Sequence, residues 1–238
     1  MHTTLFKAIA FIFCFICALF CSNTLLLAQP DFYKGVHFSR RDSLMGGSRI
    51  ERSCFDVQHY ALQVQLDIAR KHISGSNAIR YRMLYPSATI QLDLYSNMHI
   101  DSIVQGGKSL NYERDANAIF ITFAKPQAVA TDYTITVYYE GIPTEAKKAP
   151  WDGGFVWQHD PNGKDWIGMA CEGAGASLWY PCKDDLNDEP ERGCSLHIIV
   201  PKGLIGVGNG RLLGRKERQD GFTVFEWVTK STDRKSVV

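Results

Sequence analysis

Residues 62–68 read LQVQLDI, with an apolar residue at every second position and glutamine or aspartate between them. A period of two residues is typical of a strand that buries one face and exposes the other to water. Residues 72–85 repeat this alternation after a short polar stretch, so the two segments together predict a β-hairpin. Pro86 ends the second strand, because proline has no N–H to donate to a sheet ladder.

The same alternation recurs along the chain between turn residues. The first half shows no helical stripe over a stretch of about 12 residues, so we predict an all-β, antiparallel, sandwich-like fold. Asp220 and Gly221 predict a tight hairpin turn near the end of the chain. The further predicted strands are 89–94, 100–104, 118–123, 133–139, 196–200, 205–209 and 222–228.

The segment 141–191 differs from the rest, since it is rich in Gly, Trp, Asp and Pro and has little periodicity. Long irregular segments in compact domains are usually functional or disordered, and large aromatic side chains argue against disorder. We therefore predict an ordered Trp/Gly-rich loop region. Its tryptophans are more typical of core and domain contacts than of substrate contacts. They are Trp151, Trp157, Trp166 and Trp179.

Residues 1–28 have the features of a secretory signal peptide. Lys7 supplies a positive charge, and residues 8–21 (AIAFIFCFICALFC) form an unbroken apolar run of 14 residues, short for a membrane-spanning helix. Ala28 is a small residue suited to a cleavage site. We therefore expect export to the periplasm or the extracellular space, without stable membrane insertion after cleavage. An N-terminal membrane anchor is the alternative.

Residues 29–53 are polar and follow no period, so we expect a linker or extended lead-in, with order beginning near Phe55. The domain itself is then 54–232, which is long enough for one β domain with a sizeable core. The formal net charge of +1 implies neither nucleic acid nor an acidic membrane as a partner. Four cysteines lie beyond the signal, and the sequence leaves open whether they form disulfides or remain buried free thiols. They are Cys54, Cys171, Cys182 and Cys194.

The sequence holds none of the common self-sufficient catalytic motifs. It contains no HExxH, no GxSxG, no GxxxxGK[ST] and no CxxC, and no two histidines have metal-ligand spacing. An acidic group at 184–191 lacks the ligand spacing of a calcium loop, so we interpret it as a solvated turn. No catalytic or metal-binding residue is therefore assigned to this chain.

Several segments resemble the N-terminal domain of M1-family zinc aminopeptidases, and secreted bacterial members most of all. The resemblance is collinear and runs from about Cys54 to Val228. The segments that carry it are APWDGGFVW at 149–157, DPNGK at 160–164, CEGAGASLWYPCKD at 171–184 and DEP at 188–190, with DVQHY at 56–60, VPKGL at 200–204 and NGRL at 209–212.

The resemblance implies a saddle-shaped, mostly β unit that packs on a thermolysin-like catalytic domain, with the active site between the two. In the family that second domain supplies the GxMEN and HExxH motifs, the zinc ligands and an oxyanion-stabilising tyrosine. Residues 168–170 (GMA) are not the GxMEN motif. The resemblance thus implies zinc and a catalytic domain as partners in a full-length parent, no cofactor in this chain, and no activity of this chain alone.

One functional position of the family maps to this sequence. The family has Gln or Glu after the first cysteine of the CEGAGASLWYPCKD segment, where it helps to bind the free α-amine of the peptide substrate. Here that residue is Glu172. A carboxylate suits this role, since it holds an ammonium group by charge-assisted hydrogen bonds. The alternative for Glu172 is that it caps the loop or pairs with a lysine. Separately, the alternatives for the whole chain are a stand-alone β binding module and an inactive scaffold paralogue.

The family pattern is lost near Ser231, and residues 233–238 read DRKSVV. This string is what a common sequencing-adapter read gives on translation, followed by its stop codon. We therefore hypothesise that 233–238 are an artefactual tail and that the domain is incomplete at its C-terminal end. Resequencing of the locus tests this, since native DNA encoding these six residues and a stop codon would contradict it.

Overall fold

The computed structural model describes residues 37–47, 49–149, 151–171 and 173–230. The chain divides into two compact units, Met1–Ser39 and Arg40–Val238. Of the first unit only 37–39 are described, so the predicted signal peptide (1–28) lies outside the described residues, as does the predicted tail (233–238). No helix within the described ranges is long and apolar enough to cross a membrane.

The second unit is mostly β. Its described residues form two short helices, thirteen strands and one 3₁₀ turn (Ala176–Leu178). The helices are α1 (Arg40–Gly46) and α2 (Ile50–Ser53). The strands are β1 (Phe55–Asp67), β2 (His72–Met83), β3 (Ser87–Asp93), β4 (Met98–Gln105), β5 (Lys108–Ser109), β6 (Asn111–Asp115), β7 (Ala118–Gln127), β8 (Asp132–Gly141), β9 (Gly154–His159), β10 (Asp165–Ala170), β11 (Cys194–Pro201), β12 (Arg211–Glu217) and β13 (Phe222–Thr229).

The largest sheet has eight strands in the order β12-β13-β11-β1-β2-β8-β4-β5. Neighbouring strands in this sheet run antiparallel, except that β1 and β11 run parallel, with Tyr60 beside Cys194 and Gln65 beside Ile199. A three-stranded sheet has the order β3-β7-β6, and β9 pairs with β10 in a two-stranded hairpin. The all-β class predicted from the alternation is therefore confirmed.

The core is built from the inward faces of the eight-stranded and three-stranded sheets. On β2, Ile79 and Tyr81 are fully buried, while the alternating Arg80 and Arg82 are exposed. Ile121 on β7 belongs to the same buried cluster, which joins the two sheets. Removing each such side chain from water stabilises the fold by about 1.5–3 kcal/mol. The alternation seen in the sequence is thus the alternation between core and solvent.

The lead-in differs from the expected extended linker. Residues 40–46 and 50–53 are helical, Leu44 is buried, and the side chain of Arg52 is buried as well. The compact unit therefore begins at Arg40 rather than near Phe55.

The predicted strand at 205–209 is wrong, since these residues form no strand. Gly206 and Gly208 face inward, and a Cβ at either position would lie within 3.0 Å of an Ile198 or Leu196 side-chain atom. The apolar side chains beside these glycines, Ile205 and Val207, are exposed to solvent instead. The remaining predicted strands are each present, and the turn at Asp220-Gly221 joins β12 to β13 as expected.

Candidate functional site

The segment 171–184 connects the end of β10 to the acidic stretch before β11, and we call it the aromatic loop. Glu172, the predicted amine-binding residue, lies outside the described residues, whereas Cys171 and Gly173 on either side are described. The carbonyl of Cys171 accepts two hydrogen bonds, from the N–H groups of Ala174 and Gly175, both at 3.0 Å. The loop therefore begins with a hydrogen-bonded turn.

Backbone hydrogen bonds attach the aromatic loop to the edge of the three-stranded sheet. The Asp93 N–H donates to the Cys182 carbonyl at 2.7 Å, and the Cys182 N–H donates back to Asp93 at 3.1 Å. The Tyr95 N–H donates to the Ser177 carbonyl at 2.8 Å. From β2, the Asn77 side-chain amide donates to the Pro181 carbonyl at 2.9 Å. The second half of the loop is thus held by both sheets of the core.

Asp184 closes the loop on itself. Its Oδ2 atom accepts hydrogen bonds from the Ser177 N–H at 3.2 Å and the Ser177 hydroxyl at 2.6 Å. Gly175 has a φ of 85° at this point, and a Cβ there would lie 2.1 Å from Asp184 Oδ2. Only glycine fits this close approach without displacing the carboxylate.

A buried ion pair underlies the loop. Arg52 Nη1 lies 2.6 Å from Asp93 Oδ2, and the two side chains are 2% and 0% exposed. Arg52 Nη2 also donates to the Asp184 carbonyl at 2.7 Å, and the Asp184 N–H donates to Asp93 Oδ2 at 3.2 Å. Burial raises the pKa of the Asp93 carboxyl, and the Arg52 guanidinium opposes this rise. One arginine therefore neutralises Asp93 and fixes the closing residue of the loop.

A second buried ion pair joins Lys183 to Asp188, with side chains that are almost fully buried. The Lys183 ammonium also donates to the Phe55 carbonyl at 2.7 Å and lies 4.6 Å from the centre of the Phe55 ring. Asp188 Oδ1 accepts from the Val57 N–H at 3.1 Å, and burial raises the pKa of its carboxyl. The expected solvated turn at 184–191 is therefore wrong for Asp188, which is a structural residue.

The tryptophans of the predicted loop region divide into buried and exposed. Trp179 is buried and contacts Tyr180 and Phe155 edge-on, with ring centres 4.7 and 6.3 Å apart. Trp157 on strand β9 stacks on Phe155, with the two ring centres 5.4 Å apart. The remaining two stay exposed, by 75% at Trp151 and by 53% at Trp166. The core role expected for the loop tryptophans thus fits two of the four.

The four cysteines of the described region are free thiols. Burial raises the pKa of the Cys171 thiol to about 12 and that of Cys194 to about 11, and raises the pKa of Cys182 well above its usual range. Thiols of this kind are poor nucleophiles and poor metal ligands near neutral pH, because the thiolate is the reactive form. Their place in the core is that of small apolar side chains.

The described residues do not fit a zinc ion, since they contain no group of three or more His, Cys, Asp or Glu side chains that could hold a metal. We accordingly assign no zinc ligand among them. His159 Nδ1 lies 3.1 Å from Asp165 Oδ1 across the β9–β10 hairpin, but both side chains are largely exposed.

A cleft of about 610 Å³ opens beside this hairpin, which the sequence pattern did not predict. Its walls come from the β1–β2 turn, from β9 and β10, and from the adjoining ends of β11 and β13. Lys71 on its rim is paired with Glu145 at 2.9 Å, so this charge is already engaged within the protein. The aromatic loop, rather than this cleft, therefore remains the candidate functional site.

Comparison with known proteins gives a family match and structural neighbours. The sequence model of the peptidase M1 N-terminal domain matches residues 56–233. None of the curated proteins is a match. Among solved structures, the M1 zinc metallopeptidase from Deinococcus radiodurans is similar at 18% identity and a TM-score of 0.58, covering 73% of this chain and 38% of that one.

Two further neighbours have the same fold. A mutant of a two-domain M1 zinc metallopeptidase bound to L-tryptophan has 20% identity and a TM-score of 0.60, with 73% of this chain and 39% of that chain covered. Native leukotriene A4 hydrolase from Saccharomyces cerevisiae has 17% identity and a TM-score of 0.53, with 74% and 27% covered. This chain thus spans 39% or less of the length of these neighbours. Because the family model matches more than half of the chain, the chain belongs to the family of the peptidase M1 N-terminal domain.

Proposed function

We propose that this chain is the substrate-amine-binding domain of an exported zinc aminopeptidase, in which Glu172 accepts hydrogen bonds from the free α-amine of a peptide. The observation that carries the proposal is the attachment of the aromatic loop. The residues that follow Glu172 in sequence are held by the sheet edge at Asp93 and Tyr95 and by the buried Arg52. A loop fastened in this way suits a recognition residue, because little conformational freedom is lost on binding.

The chemistry of the residue fits an exopeptidase. A carboxylate forms charge-assisted hydrogen bonds with an ammonium group, and an internal segment of a peptide has no such group to offer. Glu172 would therefore favour substrates that present their N-terminus. In this proposal the hydrolytic chemistry, including the zinc ligands, comes from a catalytic domain that packs on this one, since we assign no zinc ligand to the described residues.

The test is a substitution of Glu172 in an enzyme that contains this domain together with its catalytic domain. We expect Glu172→Ala to raise KM for amino-acid anilides by about tenfold or more, since hydrogen bonds to charged groups contribute about 1.5–3 kcal/mol. The matched control is Glu113→Ala, a surface carboxylate on β6. An unchanged KM in the Glu172 variant, with the control also unchanged, would refute the amine-binding role.

Export forms a separate part of the proposal, because it rests on residues 1–28 alone. We expect the protein recovered from the periplasm or the culture medium to begin near Gln29. N-terminal sequencing of that protein tests this directly. A mature protein that retains Met1 would contradict cleavage and favour the N-terminal anchor.

A further inference from the structure

Residues 40–53 precede the segment that matches the family model, which begins at residue 56. They nevertheless belong to the same compact unit as the sheets. We call them the N-terminal clamp, which consists of α1, α2 and the residues between them, of which Ser48 is not described. The clamp is fixed to the three-stranded sheet, since the buried Leu44 carbonyl accepts from the Gln91 side chain at 3.1 Å and Arg40 pairs with Asp115 at 2.6 Å.

Two arginines of the clamp reach the two ends of the aromatic loop. Arg52 donates to the carbonyl of Asp184, the last residue of the loop, at 2.7 Å. Arg41 Nη2 lies 3.3 Å from the carbonyl of Ala174, two residues after Glu172. The same carbonyl accepts from the Tyr95 hydroxyl at 3.0 Å.

Arg41 and Tyr95 act together at this point. The Arg41 guanidinium lies over the Tyr95 ring, 4.6 Å from its centre, and also donates to the Tyr95 hydroxyl oxygen. That hydroxyl therefore accepts from Arg41 while it donates to Ala174, and a charged donor in such a chain strengthens the next hydrogen bond. The Ala174 carbonyl is thus held by two donors, and the turn that begins at Cys171 is fixed from outside the loop.

We propose that the N-terminal clamp is a positioning element for the amine-binding loop and that Arg41 is its positioning residue. This inference rests on the proposed function for its link to substrate, but not for its link to the loop. Arg41 contacts the loop and Tyr95, and its side chain is only partly buried. Its removal therefore loosens the loop without opening the core, in contrast to removal of the buried Arg52.

The first experiment measures amide hydrogen exchange in the full 238-residue chain. We expect Arg41→Ala to speed exchange at the Ala174 and Gly175 amides by about fivefold or more, because both donate within the turn that Arg41 holds. Tyr95→Phe removes one donor to the same carbonyl and should give a smaller increase at the same amides. The matched control is Arg70→Ala, whose exposed guanidinium pairs with Asp67, far from the loop in sequence.

Unchanged exchange at these two amides in both Arg41→Ala and Tyr95→Phe would overturn the inference, regardless of whether Glu172 binds the substrate amine. If Arg41→Ala does not fold, the outcome of Tyr95→Phe decides alone. A variant that speeds exchange evenly across the whole domain would also count against a positioning role, since it would show a general loss of stability.

The second experiment separates this inference from the proposed function. In an enzyme with its catalytic domain, we expect Arg41→Ala to raise KM for amino-acid anilides about threefold to tenfold while kcat changes less, and Arg41→Lys to recover part of the loss. If Arg41→Ala speeds exchange but leaves KM unchanged, and Glu172→Ala also leaves KM unchanged, the clamp positions a loop that does not bind the amine. Faster exchange with an unchanged KM, but a raised KM in Glu172→Ala, would overturn the role of Arg41 in substrate binding.

Discussion

Arg52→Ala is expected to be among the most damaging single changes in the domain. The substitution removes the only cation that contacts the Asp93 carboxylate among the described residues, and it also removes the hydrogen bond to the Asp184 carbonyl. Asp93 keeps hydrogen bonds from the Gln91 side chain at 3.0 Å and the Asp184 N–H at 3.2 Å, so its charge is partly satisfied. Breaking a buried ion pair from one side costs about 3–5 kcal/mol, and the remaining hydrogen bonds place our expectation near the lower end.

The stability that Arg52→Ala removes should be smaller at low pH than at high pH. Burial raises the pKa of Asp93, so the folded state retains a proton at pH values where the unfolded chain releases it. A carboxyl of this kind reduces stability as pH rises from its ordinary value through the raised one. Without Arg52 the opposing charge is absent and the pKa of Asp93 rises further. The difference in stability between Arg52→Ala and the unmodified protein should therefore be smaller at pH 5 than at pH 8.

Urea unfolding followed by tryptophan fluorescence measures both effects. The control Arg70→Ala breaks an exposed ion pair and should cost at most about 1 kcal/mol at either pH. Addition of Asp93→Asn to Arg52→Ala should restore part of the lost stability, because it removes the unpaired charge. A loss below about 1 kcal/mol in Arg52→Ala, or a loss that is equal at both pH values, would show that Asp93 is not left as an uncompensated buried charge.

The other predictions concern the clamp and the loop. Leu44→Ala should destabilise the domain by about 2–5 kcal/mol in the same urea assay, because Leu44 is buried, whereas Leu186→Ala at an exposed position should change stability by about 0.5 kcal/mol or less. Gly175→Ala should cost more than Gly163→Ala in thermal unfolding, since both glycines have positive φ but only at Gly175 would the new Cβ meet a neighbour. Equal effects within either pair of variants would contradict the packing described for that site.

The β-sheet core was predictable because long strands such as β1 and β2 bury one face and expose the other, at least in part, to solvent. The pattern at 62–68 lies within β1, whose residues alternate between buried and half-exposed along most of its length. The parallel pairing of β1 with β11 has no such local signal. It joins Tyr60 to Cys194 across a long stretch of chain, and parallel and antiparallel partners present the same alternation.

The misplaced strand at 205–209 shows how an alternation can mislead. Ile205 and Val207 alternate with Gly206 and Gly208, as in a strand with its apolar face inward. Here the glycines pack against the sheet, because only hydrogen atoms fit at that distance. The β9–β10 hairpin was missed for the opposite reason, since its strands are rich in glycine and tryptophan and lack a clear period.

The burial and pairing of the charged residues at the site were the features least predictable from the sequence. Arg52 and Asp93 are 41 positions apart, and an arginine in a polar lead-in normally remains in solvent. Lys183 and Asp188 lie in a stretch whose composition is typical of a solvated turn. Burial of these groups follows from the tertiary fold, which brings the lead-in and the loop onto the same sheet edge. The resemblance to M1 enzymes led to the prediction for Glu172, and its segments include Ser177 and Asp184, but they do not include the buried Arg52 and Asp93 beneath the loop.

The two buried ion pairs also bear on what the aromatic loop is for. Apolar side chains of similar size at Arg52 and Asp93 would leave a domain of comparable stability, because desolvation offsets most of the attraction within a buried pair. The charged pair also positions the backbone of Asp184, because the guanidinium and the carboxylate each form a hydrogen bond with one of its backbone groups. Lys183 and Asp188 in the same way bond backbone groups of Phe55 and Val57. Both pairs therefore determine where the loop lies more than how stable the domain is, which supports the recognition role that we propose for the loop.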